Sequence, residues 1–417
     1  MATAPRPVPA PIVSAQDFLT QEEIPGWLIY DYRQSNPIFR QVITPSGHVT
    51  RPCFLYVPLS GSPSLLTHHV DAGKFSQSGV DLRVYRNRDE MVEQLTAMLA
   101  GVSAVAMEYS PLGALPRVSR VDAGTIELVR SLGVEVVTSA DLMQFVTQRW
   151  TQEQLEDHRR SADTLGRIVN EAFQYIGVHL QEQVTEFQVA EFIRGRFKEE
   201  GLSSPDGPIV ATNAHASDPH YEPEDKGSSV IRQGDWVLID LWAKAVNPFI
   251  KGGIDHSSSL EKGELEVGPG PVYADITWVA YVGDSVPERQ QEIFDIVTGA
   301  RDAALTFLED SFQQGEAVQG WQADRVARSY IEDRGYGEFF THRLGHSIGY
   351  EVHSEAVNLD GFETQDTRRI IPGIGFSIEP GIYLPEFGVR SEIDAFMSET
   401  GPYATSPVQR EVVLIRG

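Results

Sequence analysis

Between residues 15 and 150 the chain alternates two kinds of apolar run. WLIYDY, CFLYVPL, LRVYR, AVAMEY and VEVVT are short, almost continuous and rich in β-branched and aromatic residues, as strands are, whereas RDEMVEQLTAMLAG and AGTIELVRSLG repeat their apolar positions at helical spacing. Strands alternating with helices predict an α/β domain over 15–150. SADLMQFVTQRW and TQEQLEDHRRSADTLGRIVNEAFQYIG continue as helices, with Thr151 as N-cap and Gln154 three residues later, so the domain boundary is expected at 150/151. Residues 1–14, rich in Pro and Ala, read as a flexible arm. In 151–417, helical patterns recur at TEFQVAEFIRGRFKEEG, PERQQEIFDIVTGARDAALTFLED and ADRVARSYIEDRG, and the remaining motifs fall on strands and loops between them. An antiparallel sheet flanked by helices, hence an α+β unit, is the expected arrangement.

Two stretches of this second unit pair carboxylates. In SIEPGIYLPEFGVRSEID, Glu379 and Glu392 stand either side of a turn centred between Pro385 and Glu386, so a hairpin sets them opposite each other. Directly opposed residues have Cβ atoms about 4.5–5.5 Å apart, and like charges so placed repel unless something compensates them. A divalent cation is the usual compensation. Trp236, Val237, Leu238 and Ile239 read as a buried strand delivering Asp240, and Asp275 follows in VYADITW. The midpoint of this pair falls between Ser257 and Ser258, in KGGIDHSSSLEKG, and a long hairpin is expected to oppose it as well. In THRLGHSIGYEVHSE, His346 lies between Gly345 and Gly349, which favours a loop with close backbone approach over a helix. Two carboxylate pairs and one imidazole can hold two cations roughly 3.5–4 Å apart, a spacing that activates a bridging water.

These patterns, in this order and together with SDPHYEP at His220, resemble the pita-bread metallopeptidases, and within them the proline-specific branch, Xaa-Pro dipeptidase (prolidase) and Xaa-Pro aminopeptidase. The resemblance covers about 150–417, and GWLIYDYRQSNPIF is similar to the opening of the same enzymes' N-terminal domain. It implies an α+β chain in which a pita-bread (creatinase/aminopeptidase) catalytic domain of two related halves, 151–417, follows an N-terminal α/β creatinase-like domain. It implies the metal ligands Asp240, Asp275, His346, Glu379 and Glu392, with His220 and His353 as active-site histidines that bind substrate, Arg390 as a substrate-binding neighbour of the last glutamate, and Glu379 also as the proton shuttle. Two divalent ions are implied; four carboxylates and one imidazole suit Mn²⁺, with Co²⁺ or Zn²⁺ as alternatives. A homodimer is implied too.

This chain departs from the family in the spacing of the aspartates. There are 34 residues between Asp240 and Asp275 where the family has a short spacer, and Trp242 stands where the family has glycine. An insertion around 243–270 follows, which brings Asp255 and His256 as rival ligands and is expected to screen the site from long peptides. The leading expectation is therefore hydrolysis of Xaa-Pro dipeptides by a metal-activated bridging water. Xaa-Pro aminopeptidase action on longer peptides is the alternative, ahead of a metal-free creatinase-like amidinohydrolase or a non-catalytic binding protein of the same fold.

Composition narrows the partners. A net charge of −25 without a basic patch argues against nucleic acid. No apolar stretch is long enough to span a membrane, and the N-terminus lacks the apolar core of a signal peptide. The single cysteine, Cys53 in RPCFLYVPL, excludes an intrachain disulfide and suits a reducing cytoplasm. His68 and His69 read as a solvated loop, or as reaching a neighbouring subunit's site. Arg368 and Arg369 read as surface residues, one of which could bind a substrate carboxylate.

Overall fold

A computed structural model describes residues 7–219, 221–246 and 270–417. The chain forms two compact units, Met1–Arg149 and Trp150–Gly417.

The first unit contains α1 (Ala10–Gln21), β1 (Gly26–Asp31), α2 (Pro37–Val42), β2 (Cys53–Pro58), β3 (Ser64–His68), β4 (Asp81–Tyr85), α3 (Arg88–Met98), β5 (Ala104–Met107), α4 (Ala123–Ser131), β6 (Glu135–Thr138) and α5 (Ala140–Thr147). Its sheet runs β4-β3-β2-β1-β5-β6, antiparallel through the β1, β2 and β3 pairings and parallel elsewhere. Trp27 and Ile29 pack with α1, α2 and α5, while Leu28 packs on the opposite face with α3 and α4. Burial on both faces explains why these strands read as continuous apolar runs.

The N-terminal arm expected over 1–14 is shorter than the sequence suggests. Helix α1 already begins at Ala10 and buries Ile12, Ala15, Phe18 and Leu19. Pro11 lies in the first turn, where a missing N–H leaves no intrahelical bond unmade. His68 ends β3, a strand too short for the apolar pattern to announce, and its Nε2 lies 3.0 Å from the Arg86 carbonyl.

The second unit contains α6 (Gln152–His179), α7 (Glu186–Glu199), β7 (Leu202–Ser203), β8 (Ile209–Thr212), β9 (Trp236–Ala245), β10 (Ala274–Val282), α8 (Glu288–Gln313), α9 (Gly320–Glu332), β11 (Ser347–Ile348), β12 (Gly375–Ile378), β13 (Gly381–Leu384), β14 (Phe387–Arg390), β15 (Ile393–Ser398), β16 (Gly401–Ala404) and β17 (Val413–Ile415). Thr151 caps α6 through a reciprocal pair of bonds with Gln154. One sheet runs β17-β10-β9-β7 with β8 also on β9, a second runs β11-β12-β15-β16, and β13 and β14 form a hairpin. Val237, Ile239, Leu241 and Ala243 of β9 pack on α6 and α7, whereas Trp236 and Leu238 face the core shared with α8 and α9. Strand alternation therefore turns Asp240 and Trp242 away from α6 and α7.

Residues 243–245, expected within the insertion, continue β9. Asp255 and His256 lie outside the described residues, as does His220.

The first unit buries a carboxyl with no cation beside it. Glu108 accepts hydrogen bonds from Trp27 Nε1 at 2.7 Å, Asn36 Nδ2 at 2.9 Å and Ser139 Oγ at 3.1 Å. Burial nevertheless pushes its pKa up to about 7. The folded chain thus holds a proton that the unfolded chain releases, a contribution complete below about pH 4 and lost as pH rises through about 7. From about pH 5 to pH 8 the protein should lose stability relative to Glu108→Gln by on the order of 3 kcal/mol. Urea midpoints of both proteins across that window check this; a difference that stays constant refutes it.

Candidate active site

Two different devices bring the expected carboxylates together. Ile378 pairs with Ile393 at the end of the β12–β15 ladder, and Gly381 pairs with Arg390 at the start of the β13–β14 ladder. Glu379 and Glu392 occupy the gap between these ladders, directly across from each other. Their amides leave the pairing: Glu379 N–H donates to the Leu344 carbonyl at 2.8 Å and Glu392 N–H to the Thr277 carbonyl at 3.2 Å.

The aspartates are placed differently from the expected opposed pair. Asp240 pairs with Thr277 and Asp275 with Trp242, so the β9–β10 register is displaced by two residues. A displacement of two keeps both carboxylates on one face, where a displacement of one would have separated them.

His346 enters from a segment pressed against β12. A Cβ at Gly345 would stand 2.1 Å from the Ser377 carbonyl oxygen, so only glycine allows this approach. His346 N–H donates to Ser377 Oγ at 3.0 Å, and that hydroxyl donates to Glu379 Oε1 at 3.1 Å. The imidazole Nε2 stands 3.3 Å from Glu379 Oε1 and 3.7 Å from Asp275 Oδ2.

Asp240, Asp275, His346, His353, Glu379, Arg390 and Glu392 all line one cavity of about 310 Å³. Single ligand atoms of Asp275, His346 and Glu392 fall within 4.8 Å of one another, the spread expected around one cation. Asp240 and Glu379 line the same cavity outside that tightest group. Asp240 Oδ1, Asp275 Oδ1 and Glu392 Oε1 are buried without a hydrogen-bond partner among the described residues. Buried carboxylate oxygens left so are costly unless a cation meets them. The donor set therefore fits divalent metal ions.

Electrostatics agree. Burial first, and then the charges of Glu392, Asp240, Asp394 and Glu379, push Asp275 well above the usual carboxylate range. Glu392 is raised by burial and by Glu379 and Asp240. Burial takes Glu379 up to about 7 against the opposing pull of Arg390 and Arg343.

Arg390, 4% exposed, ties the two acidic pairs together. Its Nη2 donates to Asp240 Oδ2, its Nε donates to Thr277 Oγ1 at 3.1 Å, and Thr277 in turn donates to Glu392 Oε2 at 2.7 Å. Its Nη1 donates to Tyr383 Oη at 3.0 Å, and Tyr383 Oη lies 2.7 Å from His342 Nε2. His353, at the cavity rim, stands edge-on to His346 with ring centres 4.3 Å apart.

Several supporting residues lie outside the sequence expectations. Thr277 and Asp394 follow Asp275 and Glu392 by two positions, and Asp394 Oδ2 accepts the Asp275 N–H at 2.9 Å. Period-two spacing on a strand is the signal that marks them. His342 precedes His346 by four residues, and only its packing reveals its place. The buried Glu186 accepts from Thr212 N–H at 2.7 Å, Tyr221 Oη at 2.7 Å and Ser229 N–H at 2.8 Å, anchoring the chain on both sides of position 220.

Residues 160–247 and 269–399 match the model of metallopeptidase family M24. A probable dipeptidase PepE of Mycobacterium tuberculosis is 25% identical over 367 residues, 87% of this chain and 85% of that protein. An Xaa-Pro dipeptidase of Pyrococcus furiosus is 29% identical over 265 residues, 63% of this chain and 64% of that one. The crystal structure of dipeptidase PepE from Mycobacterium ulcerans superposes with a TM-score of 0.66 at 23% identity, covering 98% of this chain and 97% of that chain, and so shares the fold. No helix among the described residues is long and apolar enough to cross a membrane.

Removing one charge from this cluster should have opposite effects with and without metal. In chelator, Asp275→Asn should raise the melting temperature by about 2–4 °C for each kcal/mol of relieved repulsion. Mn²⁺ should stabilise the unsubstituted protein, and that gain should disappear in the variant. Thermal scans with and without Mn²⁺ test both halves, and equal stabilisation of both proteins would place the metal elsewhere.

Proposed function

Because the chain belongs to metallopeptidase family M24, we propose that it hydrolyses Xaa-Pro dipeptides, the reaction of a prolidase. The observation that carries this reading is the convergence of Asp240, Asp275, Glu379, Glu392 and His346 on one cavity, with buried carboxylate oxygens that lack partners among the described residues. These five residues would hold two divalent cations, Mn²⁺ first. When bound, the cations supply a water acidified toward neutral pH and positive charge opposite a developing oxyanion.

The remaining work falls to side chains. Glu379 lines the cavity with its Oε1 held by the Ser377 hydroxyl, so its carboxylate is placed to exchange a proton with groups bound there. It takes the proton released by the attacking water and delivers it to the leaving nitrogen. That delivery matters for an Xaa-Pro bond, because the ring nitrogen expelled without a proton is a strongly basic anion. His353 and His220 hydrogen-bond the substrate carbonyl as it becomes tetrahedral, a role preorganised donors perform well. Arg390, held on three sides by Asp240, Thr277 and Tyr383, keeps the carboxylates in place as the charge shifts. Similarity to the Xaa-Pro dipeptidase of Pyrococcus furiosus supports the choice of substrate. The setting this reading implies is a cytoplasmic homodimer.

The protein loaded with Mn²⁺ should cleave Ala-Pro in preference to a tripeptide with proline second. Glu379→Gln should lower kcat by about 10²–10⁴-fold, the range of a lost general acid–base group. Preference for the tripeptide would move the activity to an Xaa-Pro aminopeptidase, and cleavage of neither with any divalent metal would sink the peptidase reading.

A further inference from the structure

Strands β8, β9 and β10 share one face at the cavity, and their pairing sets the side chains there in rows. Ile209 pairs with Asp240, and Asp240 with Thr277. Two residues further along β9, on the same face, Trp242 stands directly opposite Asp275. Opposed residues have Cβ atoms about 4.5–5.5 Å apart, so the indole rises beside one of the carboxylates grouped for a cation. Trp242, Ile209, Pro219 and Val352 are the apolar part of a wall otherwise made of acidic residues, arginines and histidines.

The indole is wedged in place. A Cβ at Gly207 would stand 2.6 Å from its Cη2 and 2.7 Å from its Cζ2, so the edge of the six-membered ring already fills the space a side chain at 207 would take. Gly207 has a φ of +67°, where glycine is favoured, and this closes the position to other residues a second time. Arg194 Nε donates to the Gly207 carbonyl at 3.0 Å and holds that seat. Trp242 also packs against two core clusters, one containing Ile209 and Leu238 and the other Tyr273 and Ile348. A ring supported in this way has no room to swing aside for a ligand.

Two observations say which part of a dipeptide meets this wall. Asp206 lies exposed at the wall and precedes Gly207 in the chain, so the indole's end of the cavity carries an acidic group suited to an ammonium. Glu379, which serves the leaving nitrogen, enters from between β12 and β13. The residue on the other side of the scissile bond then falls toward β9 and β10, against Trp242.

We propose that Trp242 limits the size of the residue that precedes proline, so that the site takes Gly-Pro and Ala-Pro and turns away dipeptides whose first side chain is large. This rests on the peptidase reading above and names the class of substrate within it. The whole cavity, at about 310 Å³, is at the small end of the range of ligand sites, about 300–1,000 Å³. With the indole immobile, a large first side chain has to find room that the ring already occupies.

The test titrates the full-length protein loaded with Mn²⁺ by calorimetry with reduced analogues of Ala-Pro and Phe-Pro, in which a CH₂ replaces the scissile carbonyl and binding is read without turnover. The Ala analogue should bind about tenfold to a hundredfold more tightly, the discrimination a rigid apolar pocket gives against an oversized group. The kcat/KM values of Ala-Pro and Phe-Pro should fall in the same order. In Trp242→Ala the preference should vanish or reverse, since the phenyl ring can take the vacated space, and Trp242→Phe should keep an intermediate preference. A ratio of one or below in the unsubstituted protein, or binding of neither analogue, overturns the proposal whether or not the variants fold. So does an equal loss for both analogues in Trp242→Ala, which would leave the indole as a brace for β9. Failure to cleave either dipeptide bears on the hydrolysis reading alone, since the analogue ratio still decides what Trp242 excludes.

Discussion

Mutual repulsion among carboxylates is the constraint on which the second unit depends. Asp240, Glu379 and Glu392 all raise Asp275, and Asp240 raises both glutamates, in a buried place away from the water that would normally screen them. Two unit charges about 4 Å apart repel by about 4 kcal/mol at an effective dielectric near 20. Burying a large apolar side chain contributes about 1.5–3 kcal/mol, so each such contact must be outweighed by packing elsewhere. The unit supplies that packing on both faces of the β9–β10 pair, with α6 and α7 on one side and α8 and α9 on the other. Asp240 and Asp275 belong to that packed strand pair, and Glu379 and Glu392 are held between two ladders, so the four cannot simply move apart.

Relief comes instead from polar groups aimed at the cluster. The Asp275 and Asp394 pairing gives one aspartate's amide to another's carboxylate at 2.9 Å. Arg390 is the only guanidinium among the described residues that reaches both acidic pairs, Asp240 directly and Glu392 through Thr277. The polarity of the outward branch is fixed at its far end. His342 Nδ1 stands 2.7 Å from the Arg343 carbonyl, which requires the proton there. Nε2 must then accept from Tyr383 Oη, leaving the Tyr383 oxygen to accept from Arg390 Nη1. Burial and the charge of Arg390 hold His342 down at about 3, so it stays neutral and this order persists across the neutral range.

The sequence disclosed these features unevenly, for physical reasons. Glu379 and Glu392 were legible in register as well as identity because their turn is short, and a short turn fixes which residues face each other. Asp240 and Asp275 were legible by type and by face but not by register, since the long stretch between them contains nothing that counts residues, and apolar alternation is blind to a shift of two. Helix α1 was hidden by its prolines, whose effect depends on position: Pro11 breaks a helix interior but is harmless in a first turn. Thr277 and Asp394 were hidden because their meaning lies in segments more than a hundred residues apart meeting across a sheet. Arg368 looked exposed because its neighbours are polar, whereas Asp366 draws it inward and closes its fork.

The acidic character of both the chain and its cavity also orients a zwitterionic ligand. At a net charge of −25, with six acidic residues and two arginines on the cavity wall, the protein's field attracts an ammonium group and repels a carboxylate. Cations held by the central carboxylates would cancel much of that field locally, and Arg343 already pairs with Glu363 at 3.1 Å, so the exposed Asp206 is the acidic wall residue that stands outside both arrangements.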